Sequence, residues 1–200
     1  MLRALALNCT LKPSPSESSG DLLAQQVLDA LEPYGVEGEI VRVVDFDVKP
    51  GVDADMGDGD EWPGIREKVM AADILVFATP TWMGHMSSVA QRVLERLDAE
   101  LSETDDEGRP ILAGKVAVVA VVGNEDGAHA IIADAYQGLG DVGFSIPSQG
   151  GVYWNGEAMH TTDYKDLPET PEKVASTTQT LARHAAHVAK VLAEQPYPAP

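Results

Sequence analysis

Ile74-Leu75-Val76-Phe77-Ala78 is an unbroken apolar run that stops at Thr79-Pro80-Thr81-Trp82-Met83-Gly84, and a helical pattern begins at Ser87. A run without polar alternation is a strand buried on both faces, as in a parallel sheet covered by helices. The same rhythm recurs along the chain. Leu2 to Asn8 reads as a first strand, and Leu22, Leu23, Val27, Leu28 and Leu31 give one apolar face to a helix over 19–31. Glu39 to Val44 predicts a second strand, and a second helix starts near Asp60 or Glu61 and ends over Ile65 to Ala71. The run at 74–78 is strand three. Ser87 to Leu101 predicts helix three, with Val89, Val93, Leu94 and Leu97 inward. Val116 to Val122 is a fourth strand, Ala128 to Leu139 a fourth helix, Phe144-Ser145-Ile146 a short fifth strand, and Glu172 to Leu192 a long last helix.

Helices between successive strands imply right-handed parallel crossovers. Five such units predict an α/β three-layer sandwich around a five-stranded parallel sheet in the order 2-1-3-4-5, which places the loops after strands one and three on either side of one crevice. A six-stranded dinucleotide-binding sheet is the competitor, weakened because no Gly-x-Gly-x-x-Gly follows strand one. Residues 1–195 read as one domain, and 196–200 as a Pro-rich tail that is frayed or docked on a neighbour.

Charge removes several function classes. The 14 basic residues face 32 acidic ones, a formal net charge of −18, so no basic stripe is available for nucleic acid or an anionic membrane. No apolar stretch is long enough to span a bilayer, and Met1 to Leu7 is too short for a signal peptide. The single cysteine, Cys9, gives no intrachain disulfide and fits a reducing, cytoplasmic setting, where it reads as a small buried hydrophobe. The acidic stretch Asp53–Glu61 lacks the glutamate that a calcium loop requires and reads as a flexible loop. His184 and His187 share a helix face without a third ligand nearby, so no metal site is expected.

Three loops at one sheet edge carry candidate chemistry. After strand one, Thr10-Leu11-Lys12-Pro13-Ser14-Pro15-Ser16-Glu17-Ser18-Ser19 is rich in hydroxyls, holds one cation and runs into a helix N-terminus. Those are the parts of a phosphate cradle, although Ser18 or Ser19 would cap the helix in any case. Gly-Lys-Ser/Thr of a Walker A loop is absent. After strand three, Trp82 either meets a flat ligand or covers the core margin. After strand four, Gly123-Asn124-Glu125-Asp126-Gly127-Ala128-His129 offers close backbone approach and polar edges, with Asp126 a possible helix cap. A phosphate end and an aromatic end together describe a mononucleotide site, pointing to flavin mononucleotide (FMN). Beyond strand five, Gly150 to His160 is a long aromatic loop in which Tyr153 and Trp154 either cover the ring or pack on their own domain.

On these three loops, with Ser87-Ser88 after the second, the chain resembles the NAD(P)H-dependent FMN reductase branch of the flavodoxin-like superfamily over residues 1 to about 195. The family's first loop offers Ser-x-Arg; here Thr10 and Lys12 stand in those places, and Pro13 to Glu17 looks like a local insertion. The resemblance implies that Thr10, Lys12, Ser18 and Ser19 hold the phosphate, and that Pro80, Thr81, Trp82, Met83 and Gly84 line the ribityl chain and ring. It also implies that Asn124, Glu125, Asp126, Gly127 and His129 meet the pyrimidine edge. Lysine for arginine at position 12 gives up bidentate recognition but keeps the charge. Trp154 is expected close to a flavin. The implied activity passes electrons from NAD(P)H through FMN to a quinone or other small acceptor, with the flavin carrying the chemistry and no catalytic side chain required. An electron-carrying flavodoxin is the alternative, although its Thr-x-Thr-Gly-x-Thr loop is absent. A homodimer or homotetramer is the expected assembly.

Overall fold

Leu2–Asn8 (β1) lies near the middle of a parallel sheet in the computed structural model, which describes residues 1–200. Its neighbours are Val36–Arg42 (β2) on one side and Ile74–Trp82 (β3) on the other, followed by Val116–Gly123 (β5) and, at the far edge, Gly151–Asn155 (β6). The five parallel strands therefore run β2-β1-β3-β5-β6, which is the expected 2-1-3-4-5 order. A two-residue strand, His85–Met86 (β4), turns back antiparallel on the end of β3.

The helices cover both faces, two on one and three on the other. Ser19–Leu31 (α1) and Glu172–Glu194 (α5) cover one face; Trp62–Ala71 (α2), Ser88–Leu97 (α3) and Ala128–Asp141 (α4) cover the other. Even-numbered residues of β1 and β3 (Ala4, Ala6, Ile74, Val76) join the first cluster, and odd-numbered ones (Leu5, Leu7, Leu75, Phe77) the second. That two-sided burial is why the run at 74–78 shows no polar alternation: Ile74 to Ala78 are all buried. No helix is long and apolar enough to cross a membrane.

Five expectations need correction. The fifth strand is Gly151–Asn155, not Phe144–Ile146. Only Ser145 bridges Val116; the chain then leaves the sheet through Pro147, which has no N–H for a ladder, and rejoins where Val119 N–H donates to Gly150 O at 2.9 Å. Tyr153 and Trp154 thus sit on an edge strand rather than a free loop. Strand two starts earlier, at Val36, and ends at Arg42. Helix three stops at Leu97 and continues to Ser102 only as a 3-10 turn. The acidic stretch is anchored, because buried Arg96 donates to Asp53 O, Lys49 O and the Asp60 carboxylate. The tail returns to its own chain: the Tyr197 hydroxyl is 2.9 Å from Ser145 Oγ, and Arg109 Nη1 donates to Tyr197 O.

Candidate functional site

The C-terminal ends of β1, β3 and β5 open into a cleft of about 360 Å³. Its floor at one end is the start of α1. Ser18 has extended backbone and caps the helix, its Oγ accepting from Gly20 N–H at 3.1 Å, an arrangement worth about 1 kcal/mol. The N–H groups of Leu11, Ser18 and Ser19 donate to nothing within the chain, so the positive end of the helix dipole faces the cleft with free donors. Thr10 is buried beside them, and exposed Lys12 lines the same wall.

The shape of this end comes from residues that the sequence did not single out. Asn8 Oδ1 accepts from Thr10 N–H at 3.2 Å while its Nδ2 donates to Asp21. Arg42, at the end of β2, pairs with Asp21 and donates from Nη1 to Ser16 O at 2.8 Å and to Lys12 O at 3.3 Å. Asp45 accepts from both Ser14 N–H and Ser14 Oγ, at 2.8 and 2.6 Å; those two bonds hold its carboxyl below the ordinary range. The inserted stretch Pro13–Glu17 is therefore tied to the neighbouring strand. No local pattern announces this, since the partners lie 26 to 31 residues away.

Aromatic groups form the other end. Trp82 stands half-exposed at the end of β3, while Trp154 on β6 tilts against Tyr164 with ring centroids 5.4 Å apart. Tyr164 is buried and its hydroxyl donates to Gln26 Oε1 at 2.6 Å; burial pushes its ionisation above the ordinary value. Between the two ends, Pro80, Thr81, Gly123 and Glu125 form the wall. Thr81 Oγ1 is buried without a hydrogen-bond partner. A buried hydroxyl left unpaired costs free energy unless something else satisfies it.

The cleft thus brings together Thr10, Lys12, Ser18, Ser19, Pro80, Thr81, Trp82, Asn124, Glu125 and Trp154. Met83, Gly84, Asp126, Gly127 and His129 do not line it. Glu125 Oε1 accepts from Met83 N–H at 2.7 Å, tying the loop after β3 to the loop after β5. Gly127, at φ +122°, lets the two loops touch: a Cβ there would fall 2.6 Å from Gly84 O. Gly127 and not Asp126 is the N-cap of α4, and His129 meets Tyr153 edge-on at 5.0 Å. Asn124 turns its Nδ2 away from a free edge, donating to His160 O at 3.3 Å and Asp163 Oδ1 at 3.1 Å.

Cys9 is fully buried beneath the cradle, and burial pushes its thiol far above the ordinary value, so it supplies no nucleophile. Leu11, Gly20, Val122, Ala158, Met159, Asp163 and Tyr164 also border the cleft. Four of these lie in the segment after β6, which carries no nucleotide-binding motif in its sequence.

A dianion fits the free N–H groups and Lys12, and a flat ring fits the end lined by the two indoles, with Thr81 as an unsatisfied hydroxyl in the same cleft. These residues fit FMN. The comparisons agree. A protein of Streptomyces davaonensis described as 8-demethyl-8-aminoriboflavin-5'-phosphate synthase is 34% identical over 98% of this chain and 80% of its own length. The crystal structure of RosB with a bound intermediate, 8-demethyl-8-formylriboflavin-5'-phosphate, superposes with a TM-score of 0.88 at 34% identity, covering 98% of this chain and 82% of that one. The apo structure of an NADH:FMN oxidoreductase shares the fold at a TM-score of 0.64 and 20% identity, over 94% of this chain and 89% of that one. A family model described as NADPH-dependent FMN reductase matches residues 2–158. The chain is a flavodoxin-like flavoprotein and belongs to the NADPH-dependent FMN reductase family.

Proposed function

We propose that this FMN-dependent oxidoreductase draws its electrons from NAD(P)H and passes them to a quinone or another small acceptor. One observation carries the reading: a single cleft joins a cradle of free N–H groups to an aromatic wall, with the buried, unpartnered Thr81 hydroxyl between them. Bound FMN would supply the redox chemistry, as a ring able to take electrons from a nicotinamide and give them to an acceptor.

The protein's part is binding, orientation and electrostatics. Lys12 and the α1 N-terminus would neutralise the phosphate. Thr81 would satisfy its hydroxyl on the ligand. Trp154, backed by Tyr164, would support one side of the ring, and half-exposed Trp82 leaves room beside it for a second flat molecule. Glu125, with one oxygen bonded to Met83 N–H, would keep an anionic ligand form unfavourable at that edge.

Steady-state oxidation of NADH and NADPH by the FMN-loaded protein, with a quinone present, tests this reading. Turnover with either nucleotide supports it; bound FMN without turnover returns the electron-carrier alternative. A second reading, in which FMN is itself the substrate, is favoured by the likeness to the aminoriboflavin-phosphate synthase, which runs past residue 158 where the family match ends. Mass spectrometry of the flavin after incubation separates them, because an electron-transfer cofactor emerges unaltered. The proposal includes a homodimer or homotetramer, supported by the exposed Met83 and Tyr153 near the cleft; a monomeric mass by light scattering at micromolar concentration would oppose it.

A further inference from the structure

Met159 combines two features that cost a protein something. Its side chain is 98% exposed, the most exposed of the large apolar residues, and its backbone sits at φ +69°. Left-handed backbone suits glycine or asparagine and strains a long side chain. Such strain persists only when the surroundings enforce it, and it gathers at ligand clamps.

The surroundings enforce it here. Gly156 N–H donates to Gly123 O at 2.7 Å, His160 N–H closes a tight turn on Glu157 O at 3.0 Å, and Asn124 Nδ2 holds His160 O and the Asp163 carboxylate. The segment 156–163 is thus stapled to the loop after β5 on both sides of its crown. At that crown, Ala158 and Met159 border the cleft, as Trp154 and Tyr164 do.

We infer that Met159 is the cover of the flavin ring: its thioether, held out by the strained turn, packs on the isoalloxazine when FMN occupies the cleft. This rests on the flavin reading above and assigns one of its contacts. A flexible, polarisable thioether gains by contact with an aromatic ring, which removes the water exposure that the free protein tolerates. Asn124, which also lines the cleft, acts through its amide as a positioning residue that fixes the turn.

Methionine oxidation tests this directly, since sulfoxide formation by dilute peroxide follows exposure. Met83 is 87% exposed and stands outside the cleft, so it is an internal control. FMN should slow oxidation of Met159 at least about fivefold relative to Met83, measured by peptide mass spectrometry; inorganic phosphate, which fills only the cradle, should not. Met159→Gly should leave the free protein melting no lower than wild type, because it relieves the turn. In that variant iodide should quench bound FMN more strongly, and Met159→Leu should restore the shielding. FMN that binds, as seen by its absorbance shift, yet leaves Met159 oxidation unchanged overturns the proposal. Protection by phosphate alone, or a Met159 already resistant before FMN is added, overturns it too. Failure of FMN to bind at all sinks the flavin reading and this contact with it.

Discussion

Arg96 Nη2 and Asp60 Oδ2 meet at 2.8 Å, and neither side chain reaches solvent. The second nitrogen, Nη1, donates to Asp60 Oδ1 at 3.0 Å, and the guanidinium lies over the buried Trp62 ring. Burial opposes the charge on Asp60, but Arg96 and the N–H groups of Met56, Lys49 and Trp62 outweigh it and hold the carboxyl far below its ordinary value of 3.8. A depressed acid stabilises the fold above its unfolded-state value and loses that contribution as the pH falls through the folded-state value. Asp60→Asn should cost about 3–5 kcal/mol at neutral pH by stranding a buried guanidinium. The gap to wild type in denaturant melts should narrow below about pH 4; a constant gap from pH 7 to pH 3 would contradict it.

Lys12 is the cation of the cradle and makes no side-chain bond within the protein. Lys12→Ala should weaken FMN by about 1–3 kcal/mol, the scale of a charge-assisted contact, with little change in melting temperature. Calorimetry decides it, and the same titration should show FMN bound more tightly than FAD, since the cradle suits a terminal phosphate. An unchanged dissociation constant would remove Lys12 from the site.

Thr81→Val removes the unpartnered hydroxyl while keeping its shape. The free protein should be equally or more stable, by up to about 1 kcal/mol, because an unsatisfied buried oxygen disappears. FMN should bind more weakly by a similar amount. Opposite signs in stability and affinity are the signature, and loss of both together would mark Thr81 as purely structural.

Gly127 and Gly57 make a matched pair, since both have positive φ but only Gly127 faces another backbone within 4 Å. Gly57→Ala should cost about 1 kcal/mol of strain alone. Gly127→Ala should cost roughly 1–3 kcal/mol more and loosen flavin binding by parting the loops after β3 and β5. Equal melting temperatures for the two variants would refute the contact.

Much of this architecture is readable from residue patterns, and where it is not the reason is physical. Val116 to Gly123 and Ile74 to Ala78 announce themselves because burial on both faces demands apolar residues at every position. The edge strand Gly151–Asn155 does not: Tyr153 and Asn155 face outward, and Gly150 to Gly156 looks like turn chemistry. The cradle residues Thr10, Lys12 and Ser18 follow from their place after β1, a local signal. Arg42, Asp45 and Asp163 are lone polar residues whose importance arises only when distant strands pair. Asn124 lines the cleft, but nothing local shows that its amide nitrogen also donates to residues 36 and 39 positions on.

The ties around the cradle also have an order in time. Asn8, Ser14, Asp21, Arg42 and Asp45 all fall within the first 45 residues, whereas the ring end needs Trp82, Trp154 and Tyr164. During synthesis from the N-terminus, the α1 end of the cleft has every residue it requires long before the aromatic end exists. Its contacts are short in sequence and carry little loop-closure entropy. The aromatic end is complete only with the last third of the chain, so a ligand spanning both ends of the cleft is a partner of the finished protein and not a template for its early folding.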